Sequence, residues 1–319
     1  MNRALGFQIT FLLSVLFLTV VTGPAQPPAT ESKPAVRPVS IPISIFSKQE
    51  LKEDKLQEFL QLDRLIMKEN KDEQTILSLR SIEETPLSLA VLIQDDLTSG
   101  FNLQLKDIAK FIRSLPRGSR VMVAYTRGGS PQIRQKFTDD LNKAAGSLRI
   151  VAGSSSASPR SPFDGVVDIL DRFDALPTGR RAILLISDGL DLSSGVANSA
   201  PGQSIELDKA ILRAQRRSVS VFTIYSPSAS VGGDNSRLIL NGQSSLQKLS
   251  DETGGRAFFQ GSIAPISMEP FFRDLSILLR RQFLLTYLST HMKKGYYKVE
   301  VTSSNPDIKI EHPKGYYYR

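Results

Sequence analysis

Leu87-Ser-Leu-Ala-Val-Leu-Ile-Gln-Asp95-Asp-Leu-Thr-Ser99-Gly100 decides how the chain is read. Its first half is an almost unbroken apolar run of strand length, and it ends in two carboxylates, two hydroxyls and a glycine. A run that is apolar on both faces suits a central strand of a parallel sheet with helices on either side. Polar groups at the carboxyl end of such a strand lie in the crevice where open α/β sheets bind ligands. A second run, Arg181-Ala-Ile-Leu-Leu-Ile-Ser-Asp188-Gly189, is built alike. Two buried strands ending in Asp at one sheet edge can aim oxygens at a hard cation. The same residue types also serve ordinary α/β turns and helix caps.

Working outward, strand and helix signals alternate. Apolar residues recur at helical spacing over Leu103–Arg113, and Arg120–Thr126 is another buried strand. Gln132–Phe137 reads as a short edge strand, and Gly153–Ser158 as a polar loop. Ser161 offers an N-cap hydroxyl with Pro162 behind it, opening a helix to about Phe173. A helix at Leu207–Arg217 precedes the strand Val219–Tyr225. Ala229–Asn241 reads as a polar insertion before a helix near Ser244–Asp251. Gly254–Phe259 gives a last strand and Met268–Arg281 an amphipathic helix. Repeated strand–helix units predict a mostly parallel, right-handed sheet between two helix layers.

The flanks carry β signals. Val39–Phe46 alternates and is β-branched, with Pro42 arguing for an edge position. Lys48–Gln61 has helix-forming composition, while Asp63–Glu69 and Gln74–Arg80 read as a hairpin. Near the end, Gln282–Leu288, Tyr296–Thr302 and Ile308–Glu311 alternate, and the tyrosines of Gly315–Tyr318 are expected to pack on their sheet. Residues 39–84 and 282–319 are therefore expected to pair into one β domain, with an α/β domain over 85–281 inserted between them.

Asn2-Arg3, the apolar run Phe7–Val21 and the small residues Gly23-Pro-Ala25 form a signal-peptide pattern over residues 1–25. A Pro-rich linker follows over 26–38. The mature chain is then expected to be exported, periplasmic or extracellular, without stable membrane insertion; an uncleaved anchor is disfavoured because the run is short for a spanning helix. With no cysteine, disulfides and thiolate metal sites are excluded. The net charge of +8 comes from scattered Lys and Arg. Nucleic-acid binders gather such charge on one element, so no nucleic-acid partner is expected. The two histidines, His291 and His312, lie far in sequence from the Asp pair, which gives histidine catalysis little support.

From Leu87 to Arg281 the element order resembles a von Willebrand factor A domain. Over about residues 39–319 the chain is similar to the VWFA-related family of Acidobacterial type. The resemblance rests on Leu65-Ile-Met-Lys-Glu-Asn-Lys-Asp-Glu-Gln-Thr-Ile-Leu77, Ile186-Ser-Asp-Gly189, Thr253-Gly-Gly-Arg-Ala-Phe258, Gly295-Tyr-Tyr-Lys-Val-Glu-Val and Lys314-Gly-Tyr-Tyr317. It implies a protein-binding module rather than an enzyme, often with Mg²⁺ in a metal-ion-dependent adhesion site. The family's Asp-x-Ser-x-Ser loop falls on Asp95, Leu97 and Ser99. Its second-loop threonine falls on or near Ser161, and its third aspartate is Asp188.

Leu97 departs from that pattern. Mg²⁺ demands octahedral oxygen coordination, and an isobutyl group offers none. Water, Asp96 or Thr98 would have to fill the gap, and Asp96 points away from Asp95 if the strand pleat persists. The resemblance therefore implies a degenerate site of Asp95, Ser99, Ser161 and Asp188, holding Mg²⁺ or Mn²⁺ weakly or not at all. Two other functions compete with the binding module. One is a Mg²⁺-dependent phosphohydrolase with Asp95 as nucleophile, disfavoured because the second Asp is adjacent rather than two residues on. The other is a structural envelope component with no ligand at the crevice.

Overall fold

Two sheets organise the computed structural model, which describes residues 35–47, 65–81, 86–153, 161–177, 179–229, 235–261 and 265–318. The first is antiparallel and takes strands from both flanks: β1 (Arg37–Ser47), β2 (Leu65–Glu69), β3 (Asp72–Arg80), β10 (Gln282–Ser289), β11 (Gly295–Ser303), β12 (Ile308–Glu311) and β13 (Gly315–Tyr318). Their order is β12-β1-β10-β3-β2-β11-β13, so β10 lies between β1 and β3. Asn70 and Lys71 close the β2–β3 hairpin with φ of 50° and 80°, the paired left-handed geometry that matches strand twist. Pro42 falls in the part of β1 that has β10 alone beside it, because β12 pairs only with Ser44–Ser47. A residue without an N–H is tolerated there. Ile41, Ile43, Ile45, Tyr287, Val299 and Tyr316 share one apolar cluster on this sheet. The tyrosines of β13 do more than rest on the sheet: they form its edge strand, paired with Gly295–Lys298.

The second sheet comprises β4 (Leu87–Gln94), β5 (Arg120–Arg127), β6 (Ser130–Thr138), β7 (Arg180–Ser187), β8 (Val219–Tyr225) and β9 (Ala257–Phe258). Its order, β6-β5-β4-β7-β8-β9, starts at the centre, runs to one edge and then returns to run to the other. All neighbours are parallel except β5 and β6. That order, with its antiparallel edge strand, is the von Willebrand factor A-like variant of the doubly wound fold.

The two-residue period of the strands splits each apolar run between two cores. Leu89, Val91 and Ile93 face α1 (Leu105–Ser114), α2 (Leu141–Gly146) and α6 (Glu269–Arg280). Ala90 and Leu92 face α3 (Pro162–Leu170), α4 (Ile205–Arg216) and α5 (Ser236–Thr253). Phe46, from β1, belongs to the first of these cores and so ties the antiparallel sheet to the α/β layers. Arg180 reinforces the joint. Its buried guanidinium donates to the Leu279 carbonyl of α6 at 2.7 Å and reaches the Gln282 carbonyl of β10 at 3.5 Å, and burial lowers its pKa to about 10.

Several expectations need correction. The later part of the polar insertion expected over 229–241 is the start of α5, which begins at Ser236 with Asn235 as its cap; the Asn235 side chain accepts from Leu238 N at 3.3 Å, and residues 230–234 lie outside the described residues. Gly242 and the exposed Leu240 interrupt the apolar pattern there, so periodicity alone misses the first two turns. The short helix α2 is too brief to show in the apolar periodicity, and the helix expected from Leu103 begins as a 3-10 turn over Ser99–Gln104. The signal-peptide segment, the helix expected over Lys48–Gln61 and most of the Gly153–Ser158 loop lie outside the described residues. Among the described residues, no helix is long and apolar enough to cross a membrane.

Candidate functional site

β4 and β7 are parallel neighbours with Ile93 opposite Ile186, so Asp95 and Asp188 leave adjacent strands at the same sheet edge. Gln94 fastens the two ends together. Its Oε1 accepts from Ser187 Oγ at 2.5 Å and from Asp188 N at 3.1 Å. The pleat stops at Gln94, and Asp95 and Asp96 form a turn. Asp96 is half-buried in that turn, and its negative charge adds to the rise in the Asp188 pKa.

Asp95 is buried and already has a cationic partner. Arg149 Nη1 lies 2.6 Å from its Oδ1. The same nitrogen donates to the Ile150 carbonyl at 2.9 Å, and the guanidinium sits 4.2 Å from the centre of the Tyr125 ring. Tyr125 also holds the backbone of residue 149. Its hydroxyl accepts from Arg149 N at 2.8 Å and donates to Arg149 O at 2.7 Å. The bond to Asp95 raises the Arg149 pKa, so the guanidinium stays charged.

The other residues of the expected site are placed differently from one another. Leu97 is fully buried and packs in the core beneath α1 and α6, while its backbone bridges to Ser228. Bonds from Thr98 N to Pro227 O and from Ala229 N to Asp96 O strap this loop to the one after β8. Ser99 is exposed at the start of the 3-10 turn. Ser161 is buried, and its Oγ accepts from Phe163 N at 3.3 Å, capping α3 as its position in the sequence predicts. Asp188 Oδ1 accepts from Leu190 N at 3.0 Å. Burial raises the Asp188 pKa to about 6 against the opposing pull of that amide, and the like charge of Asp96 adds to the rise.

This donor set does not fit a divalent ion. One ligand position is a core leucine, one hydroxyl belongs to an exposed serine, and the first carboxylate is engaged by a fixed guanidinium. Among the described residues no group of three or more His, Cys, Asp or Glu is placed to hold a metal.

A second polar cluster lies along the same edge. Asp191 accepts from Ser193 N at 3.0 Å, from Ser193 Oγ at 2.6 Å and from the Ser204 hydroxyl, while Ser204 caps α4. Asp164, in the first turn of α3, has a pKa raised to about 6 by burial and by a hydrogen bond with Glu206. None of Arg149, Asp191, Asp164 and Glu206 stood out in the sequence. The Asx-turn spacing Asp191–Ser193 and the cap position of Ser204 were legible signals. Arg149 belongs to no motif, and only the fold brings it to Asp95.

No protein-family profile and no curated protein matches this chain. Among solved structures it is similar to a von Willebrand factor type A protein from Catenulispora acidiphila, at 10% identity over 82% of this chain and 75% of that one, TM-score 0.45. BatB from Bacteroides thetaiotaomicron is similar at 12% identity, covering 60% of this chain and 95% of that one, TM-score 0.42. The von Willebrand domain of the type V pili tip protein Mfa5 from Porphyromonas gingivalis is similar at 10% identity over 60% and 93% of the two chains, TM-score 0.41. The fold rests on strand order, not on these similarities.

Proposed function

We propose that the chain is an exported, non-enzymatic interaction module of the VWFA-related type, docking a protein partner on the loops at the carboxyl end of its six-stranded sheet. One observation carries this reading. Leu103, Ile150 and Ile266 are 80%, 68% and 93% exposed, and hydrogen bonds gather their segments beside the crevice. Asn102 exchanges bonds with both the N–H and the carbonyl of Val151, at 2.8 and 3.3 Å. Gln104 donates to the Ile266 carbonyl at 3.0 Å. Isolated exposed aliphatics are ordinary, but several together beside a polar crevice favour a protein partner. The family assignment is supported by the sequence segments quoted above, and export by the signal-peptide pattern.

The reading as a phosphohydrolase loses support from what Asp95 and Asp188 do: the first is tied to Arg149 and the second caps Leu190 N. Cross-linking in an envelope extract tests the docking face. Leu103→Asp/Ile266→Asp is expected to lose the cross-linked species that wild type and a Leu240→Asp control both give. An identical pattern in all three would end the proposal. Recovery of the mature protein outside the cytoplasm, beginning near Gln26, is the matching expectation for export.

A further inference from the structure

We infer that Arg149 is the resident cation of the crevice, so that recognition at this face is independent of metal. This rests on the docking face proposed above and adds how its charge is set.

Asp95 is buried, and an ionised carboxylate in such a place must be paired or coordinated. In the adhesion-site arrangement a divalent ion meets that need. Here the Arg149 guanidinium does so, and the fold prepares it on three sides. Tyr125, on the strand beside β4, clasps the backbone of residue 149 through both of its polar groups. Its ring supports the guanidinium plane, and the Ile150 carbonyl takes a second bond from the same Nη1 that meets Asp95. A guanidinium fixed by ring, carbonyl and carboxylate is already organised, and little side-chain freedom is lost when it pairs.

Three consequences follow for a metal. Asp95 Oδ1 is taken, and an approaching dication meets a charge of its own sign. Restoring the missing hydroxyl by Leu97→Ser would not restore a site, because that side chain faces the core and Arg149 stays in place. Chelators are therefore expected to leave partner capture unchanged.

The test uses the full chain and reads thermal midpoint, denaturant unfolding and Mn²⁺ uptake by electron paramagnetic resonance. Wild type and Leu97→Ser are expected to take up no Mn²⁺. Arg149→Met, which strands the Asp95 charge, is expected to shift the unfolding equilibrium by roughly a hundredfold or more. Asp95→Asn/Arg149→Met recovers most of that loss, since an amide needs no counter-ion. Arg149→Lys keeps the charge without the planar fork and is expected to fall between, which preserves the test if Arg149→Met does not fold. Wild-type uptake of one Mn²⁺ that Asp95→Asn abolishes would overturn the inference. So would additive effects of the Asp95 and Arg149 changes, with no coupling between them. Neither result touches the cross-linking test, and loss of the docking face there would leave the Arg149 result standing.

Discussion

Gly189 and Gly242 meet backbone to backbone. A β-carbon on Gly242 would lie 2.0 Å from the Asp188 carbonyl oxygen, and one on Gly189 would lie 2.4 Å from the Gly242 carbonyl oxygen. The loop that carries Asp188 is thus pressed directly against α5, with no side chain between them.

Gly242→Ala is expected to destabilise the fold. In an exposed helix the change would gain up to about 1 kcal/mol. Here the contact is with backbone, which cannot rotate away, and overpacking of this kind costs about 1–3 kcal/mol. Urea denaturation of Gly242→Ala against wild type measures it. A stabilised variant would show that α5 moves aside freely.

Asp188 predicts a pH effect of definite sign. Its folded pKa is raised from 3.8 to about 6, so the folded state holds the proton more tightly than the unfolded one. Stability from this group is greatest below the ordinary carboxylate pKa and falls as pH rises through about 6. The loss at neutral pH is on the order of 3 kcal/mol. Asp188→Asn should therefore be more stable than wild type near pH 7.5, with the gap closing near pH 4. An equal difference at the two pH values would contradict this.

His312 acts with the opposite sign. Its Nε2 accepts from Val301 N at 3.3 Å, and its Nδ1 lies 2.9 Å from the Pro313 carbonyl, so a neutral ring protonated on Nδ1 satisfies both. Burial lowers its pKa below the usual 6.5. The folded state then resists protonation, and its stability is complete above 6.5 and is lost as pH falls toward the lowered value. His312→Gln is expected to flatten that acid limb in a pH series of thermal midpoints. A limb unchanged by the substitution would assign it to other groups.

Glu69 is fully buried in the antiparallel sheet. Its Oε1 accepts from Tyr316 Oη at 2.8 Å and Ser289 Oγ at 3.1 Å. Arg37 donates to the same tyrosine hydroxyl and lies 3.6 Å from the centre of the Tyr318 ring. Tyr316→Phe removes one donor from a buried carboxylate, and an expected loss of about 1–3 kcal/mol follows. Guanidinium denaturation reads it, and a neutral result would show that Ser289, with His291 Nδ1 3.6 Å from the same oxygen, suffices.

The apolar runs at Leu87 and Arg181 were legible because their length, their two-sided hydrophobicity and their terminal aspartates all follow from the local sequence. So was the Ser161 cap, which needs only its neighbours. The character of the crevice was not. Leu97 could be recognised as lacking an oxygen, but its burial in the core depends on the straps from Pro227 and Ala229. Arg149 reaches Asp95 across 54 residues of chain, and no local rule forecasts that pairing. The first turns of α5 were hidden for a different reason: Gly242 looks like a helix breaker until the backbone of the Asp188 loop is seen to require it.

The place of β10 between β1 and β3 constrains how the protein is made. Both neighbours of β1 follow the α/β region in sequence, so during N-to-C emergence this strongly apolar strand waits until Gln282–Ser289 and Ile308–Glu311 have emerged before its ladders can close. Until then its edges are open to wrong partners. The late arrival of Gln282–Ser289 makes completion of this sheet a checkpoint: a nascent chain arrested in the α/β region should engage holding chaperones, and release should follow only once that strand is available.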